Sequence, residues 1–334
     1  MRQVRIQGTI TTGRWTLPVV IIICTVCWCV SNALTFDNGL SMTYVPFGLT
    51  ARQVEIVPEW CLRLAGYAAF ATIGYFLIGL NNVFAIVRTR ASAQTSFFFL
   101  LVTACPLLHT GYAGIIVAMS LALSLFLLFS GYHTYGDAPQ YVFGSFALLS
   151  VATLFSPKII YLAPIWLIGA VQFRAMSPRS LCAALVGLIL PYWFLFGHAF
   201  YHDRMELFTM PFTEMVTFSD IGLSVMPLYG ISTLSYMFLL FAASLLQYLM
   251  ESYKDKMQIR SYLIFLFNLT AYCYLFVLLQ PSMLNDLLVT MMMSVSVLAA
   301  HLFVLTSSKA SNIFFIIITV GLVLLYALNL LTAI

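Results

Sequence analysis

A few polar residues stand out against a strongly apolar chain. Phe36-Asp37-Asn38-Gly39 follows the first long apolar run. An aspartate held at a helix end beside a membrane can act as a general base or bind a divalent cation. Asp-Asn-Gly is equally strong turn chemistry. Glu55 and Glu59 lie four residues apart in the same segment, so they would share a helix face or serve as helix-start residues favoured by the dipole. Lys158 follows Ser156-Pro157 between two short apolar runs. A cation there can hold a lipid phosphate, or can snorkel to the interface and do nothing more. His198 and His202 are four apart, with Asp203, Arg204 and Glu206 close behind. Two imidazoles one helical turn apart can share a metal, recognise a polar substrate, or anchor a helix at the interface. No HExxH accompanies them, and no metal is assigned. Asp286, one turn after Pro281, reads as a helix N-cap or first-turn residue. His109, His133 and His301 are isolated and receive no role.

These residues must be positioned by elements that live in lipid. Of 334 residues, 62% are apolar and 8% charged, with a mean hydropathy of +0.99. Soluble domains carry about 25% charged residues, so this chain cannot cover a water-facing shell. Its solvent is hydrocarbon. A span needs about 20 apolar residues, and within lipid every backbone amide must be paired inside its own segment. The sequence therefore predicts an all-α bundle of about eleven spans, near 15–35, 60–87, 95–109, 112–131, 141–156, 159–173, 181–200, 226–250, 261–280, 284–306 and 312–333. The runs 95–109, 141–156 and 159–173 are short, and the last two are expected to form a hairpin with Lys158 near its tip. Residues 1–334 read as one membrane domain with two longer external loops, 36–59 and 201–225. Arg2, Arg5 and Arg14 precede the first apolar run, and Ser31-Asn32-Ala33 matches a cleavage site only loosely, so a retained first span is expected.

Orientation follows from the cations. With the N-terminus in the cytoplasm, that side holds Arg2, Arg5, Arg14, Arg88, Arg90, Arg174, Arg179, Lys254, Lys256, Arg260 and Lys309. The other side holds Arg52, Arg63, Lys158 and Arg204, a bias of 11 to 4. The C-terminus is then external. The scattered cations form no patch for nucleic acid, despite a net charge of +4.

Seven cysteines lie in or beside apolar segments, and Cys24-Thr-Val-Cys27 sits inside an apolar helix, which favours small buried hydrophobes over redox or metal chemistry. The chain carries no Walker A, GxSxG or HExxH signature, and almost no charge at its span centres. That poverty of charge disfavours an ion-coupled transporter.

The stretch from about 60 to 206 carries a resemblance. Tyr75-Phe-Leu-Ile-Gly-Leu-Asn-Asn82, Arg88-Thr-Arg90, Ala104-Cys-Pro-Leu-Leu108, Gly144-Ser-Phe-Ala-Leu-Leu149, Phe155-Ser-Pro-Lys158 and Leu188-Ile-Leu-Pro-Tyr192 resemble an uncharacterised family of bacterial polytopic inner-membrane proteins. The order of these elements is also loosely similar to the GT-C superfamily of membrane glycosyltransferases, which use polyprenyl-phosphate sugars. That resemblance implies a multi-pass protein of the bacterial inner membrane with an acidic residue in its first external loop, where Asp37 is the candidate catalytic carboxylate. It implies a lysine after paired short helices, which Lys158 matches as a substrate-binding residue, with His202 and Arg204 of the 201–225 loop beside it. Asp37 stands next to Asn38 rather than in an acidic pair. Expected partners are membrane lipid, polyprenyl phosphate among them, and other membrane proteins. A non-catalytic partner in envelope assembly and a lipid or solute transporter are the competing readings. No cofactor is identified.

Overall fold

In a computed structural model of the chain, the described residues are 7–8, 10, 13, 15–34, 59–87, 92–110, 112–132, 138–218, 226–306 and 308–333. They form an all-helical bundle with no strand among them. The helices are α1 (Thr16–Leu34), α2 (Glu59–Phe84), α3 (Ser92–Thr103), α4 (Tyr112–Ser130), α5 (Ala138–Phe155), α6 (Ala163–Gln172), α7 (Pro178–Tyr201), α8 (Glu206–Val216), α9 (Leu228–Glu251), α10 (Met257–Leu279), α11 (Leu284–Leu305) and α12 (Lys309–Ala333). Nine helical stretches among the described residues are long and apolar enough to cross a bilayer. Such a chain is a multi-pass integral membrane protein.

The remaining two expected spans are shorter apolar helices, Ser92–Thr103 and Pro157–Gln172. The 95–109 run breaks because Cys105-Pro106 interrupts it: proline lacks an N–H, and the preceding residue avoids helical geometry. The chain continues as a 3-10 turn, Pro106–Thr110. Breaking a helix inside a bundle frees a carbonyl. Here Asn329 Nδ2 from α12 donates to Ala104 O at 2.8 Å and to Thr233 Oγ1 at 3.1 Å, while Ser232 Oγ donates to Asn329 Oδ1 at 2.9 Å.

α11 occupies the centre. Every residue from Leu287 to Phe303 is buried, and α3, α4, α9 and α10 pack around it. Its Thr, Met, Ser and Ala residues suit a helix surrounded by protein, since small side chains allow close approach and methionine fills irregular gaps. Hydroxyls clasp neighbouring helices: Thr270 Oγ1 donates to Ser294 Oγ at 2.9 Å, and Ser124 and Ser145 exchange bonds between α4 and α5 at 2.7 and 2.9 Å.

α5 packs chiefly on α7 and α4. Gly187 makes the first of these contacts possible, because a Cβ there would stand 2.6 Å from Phe143 O. Three helices end on residues in the left-handed region, Ala85 (φ 49°), Arg174 (φ 57°) and Asp203 (φ 53°). The last two are Schellman stops: Ala175 N donates to Ala170 O and Arg174 N to Val171 O, as Arg204 N does to Ala199 O and Asp203 N to Phe200 O.

The N-terminal segment is tied across the face where the described chain begins. Gln7 Nε2 donates to Phe303 O at 2.6 Å and Thr306 O at 2.8 Å, and Gln7 N donates to Asn312 Oδ1 at 3.0 Å. The carbonyls at the end of α11 thereby gain donors. This is the N-terminal face. The turns after α5, α7 and α10 lie on the opposite face, called distal below.

Candidate functional site

Lys158 stands on the distal face in a 3-10 turn, Pro157–Leu162, between α5 and α6. The local sequence dictates that turn. Ser156 is extended, Pro157 opens the turn with its φ already set, and Pro164 lies in the first turn of α6. The expected turn at Lys158 is therefore present, but the two runs do not form a tight hairpin, because α5 packs on α7 and α4 and only slightly on α6.

Three elements meet at this turn. Ser156 Oγ donates to Asp286 Oδ2 of α11 at 2.6 Å. Tyr161 Oη donates to Met215 O of α8 at 3.0 Å, and Tyr272 Oη of α10 donates to Tyr161 O at 2.6 Å. α8 lies against the turn and α7, its Phe212 ring 5.4 Å from Tyr192 and its Phe208 ring 5.3 Å from Phe196. Tyr192 in turn shares a 2.9 Å hydrogen bond with Thr153.

This packing brings Glu214 of α8 and Asp286 of α11 into the electrostatic neighbourhood of Lys158. All three side chains are half-buried, and the lysine makes no direct ion pair among the described residues. Partial burial pushes the Glu214 carboxyl above its usual range; Lys158 opposes the rise and the neighbouring Asp286 charge adds to it. A carboxyl tuned upward beside an ammonium can take a proton from a hydroxyl while the cation steadies a developing negative charge.

The structure places the sequence candidates unevenly. Asp37 and Glu55 lie outside the described residues, as do His133 and the 219–225 part of the second loop. Glu59 opens α2. His202 and Arg204 are exposed at the end of α7, where His202 is the C-cap and Arg204 N completes the Schellman stop. The His202 ring lies 4.5 Å from His198 and 5.2 Å from Tyr201. No group of three or more metal-ligating side chains exists among the described residues. Cys24 and Cys27 carry free thiols, the first buried and the second half-buried.

Two acids of the site escaped sequence reasoning. Asp286 occupies the first turn of α11 as expected, yet its carboxylate is also the acceptor for Ser156, 130 residues earlier. Glu214 carries no local signal beyond lying in the segment read as the 201–225 loop, which is helical at that point. Two histidines without an assigned role are also buried. His109 stacks on Trp28 with ring centroids 3.3 Å apart, and its Nδ1 is 3.5 Å from Ser31 Oγ. His301 Nε2 sits 3.2 Å from Asp255 Oδ2 at the N-terminal face.

Neither the protein-family models, nor the curated proteins, nor the solved structures provide a match to this chain. Fold and site geometry alone define the class: a helical, multi-pass membrane protein with a charged cluster at one end of its bundle.

Proposed function

We propose that the protein is a membrane transferase of GT-C-like character acting at the outer face of a bacterial inner membrane, moving a sugar from polyprenyl phosphate to an acceptor hydroxyl. The observation that carries this reading is the docking of α8 and α11 on the Lys158 turn, which puts Glu214 and Asp286 in the electrostatic neighbourhood of Lys158. In the reaction the sugar C1–O bond to phosphate breaks as a C1–O bond to the acceptor forms. The acceptor proton passes to Glu214, and polyprenyl phosphate departs with its negative charge beside Lys158. Asp286, anchored by Ser156, adds a second carboxyl to the electrostatic surroundings of Lys158. Asp37, the acidic residue of the first loop, joins the reading as a second carboxylate for acceptor or cation. His202 and Arg204, exposed on the rim of the same face, contact the polar part of the substrate.

The test is release of polyprenyl phosphate from a polyprenyl-phosphate hexose by the purified protein in lipid nanodiscs. Lys158→Ala and Glu214→Gln should each lower the rate by about 10²-fold or more while the protein still extracts as a folded monodisperse species. Wild-type rates in both variants would discard the transferase reading in favour of a non-catalytic membrane partner.

A further inference from the structure

α1 and α12 touch just past the middle of their lengths, where Tyr326 Oη donates to Cys27 O at 3.0 Å. Toward the N-terminal face they part, and α3 forms the floor between them. The gap is a crevice of about 570 Å³ bounded by Ile10, Val19, Ile23, Phe97, Phe315 and Leu322, among others. Its size falls within the ~300–1,000 Å³ of ordinary ligand sites.

The chemistry of the walls decides what can fill it. The three hydroxyls of the lining are already committed to backbone carbonyls of their own neighbourhood: Thr16 Oγ1 to Ile10 O at 2.5 Å, Ser96 Oγ to Ser92 O at 2.7 Å, and Thr319 Oγ1 to Phe315 O at 2.8 Å. A stable buried water needs two to four polar partners, and among the described lining residues no hydroxyl has a hydrogen left to donate. The crevice is open at its side, since Val19 and Ile23 line it while remaining 49% exposed. Both belong to a membrane-crossing helix, so that opening faces hydrocarbon. At one end the N-terminal segment, fixed by Gln7, brings Ile10 over the gap. Exposed Trp15 stands at the same end, at the depth favoured by interfacial tryptophan.

We propose that this crevice binds one acyl chain of a membrane lipid, entering laterally between α1 and α12 with its headgroup near Trp15. The described surfaces of the crevice offer such a chain chiefly dispersion contacts. This site is separate from the Lys158 cluster, and its failure leaves the transferase reading untouched.

The probe is a phospholipid carrying a diazirine in its acyl chain, incorporated with the full-length protein in nanodiscs and photolysed, followed by peptide mapping. Label should concentrate on Val19, Phe97, Phe315 and Leu322 over Val323 and Leu324, which are each 65% exposed on the outer side of α12. Ser96→Phe, which fills the floor, should cut crevice labelling about 10-fold and leave Val323 and Leu324 unchanged. Val20→Trp, at the wall, is the companion variant if Ser96→Phe does not fold. Equal labelling of both sides of α12, labelling insensitive to the filling substitution, or cross-links to a second protein chain in place of lipid would each overturn the assignment.

Discussion

Lys158 gains its meaning from residues far away in sequence. The proline, the serine and a cation in an apolar stretch mark a local break, and that break makes the turn legible from residue order alone. Its carboxylate neighbours are not legible in the same way, because Glu214 and Asp286 reach it through the docking of α8 and α11, and no periodicity encodes that docking. His202 and Arg204 illustrate the reverse. Their polar types draw attention, whereas the backbone shows that their positions serve a helix stop. Glu214 makes a pH prediction. Its folded-state affinity for protons is raised, so its ionised form is disfavoured by folding: any stability it contributes is present below the ordinary glutamate value of 4.5 and fades as pH rises through the higher folded value. Glu214→Gln should accordingly leave the thermal midpoint at pH 7 unchanged or slightly higher. If Glu214 is the base, transferase rate should rise along an acid limb centred above pH 4.5, and that limb should vanish in Glu214→Gln.

At the scale of elements, apolar run length foretells most helices, since lipid leaves the backbone no other choice. The run that misleads is 95–109, where hydropathy continues across Cys105-Pro106 but the helix does not. The bundle tolerates that break through Asn329, a polar residue whose partners lie on α9 and at the end of α3. Replacing it with leucine leaves Ala104 O without its donor, so Asn329→Leu should destabilise the protein by about 1–2 kcal/mol in a denaturation series in mild detergent. Gly187→Leu should cost about 1–3 kcal/mol or more, because its side chain meets Phe143 backbone and has no flexible neighbour to displace. A weakened α5–α7 contact would also report at the site, through the Thr153–Tyr192 hydrogen bond that spans the same two helices.

For the whole molecule, the cation bias carries the proposed orientation. A reporter fused after Ile334 should be read in the external compartment, and one near Lys256 in the cytoplasm. Lys158→Cys should react with an impermeant thiol reagent added from outside. Cytoplasmic signal from the C-terminal fusion would invert the arrangement and move the charged cluster to the inner surface.

The burial of α11 has a consequence for how the protein is made. A ribosome releases helices in sequence, and the one around which α3, α4, α9 and α10 assemble is eleventh of the twelve described. Throughout most of synthesis the nascent chain therefore has a vacant axis, and the inner faces of its earlier helices meet lipid, insertion machinery or one another. Assembly around that axis waits for a segment delivered after ten described helices. Chains halted after Gln280 should be cleared rapidly by membrane proteases in a pulse-chase, whereas chains halted after Ser308, lacking only α12, should survive measurably longer. Equal lifetimes would mean that the earlier helices already hold a stable arrangement into which α11 is later threaded.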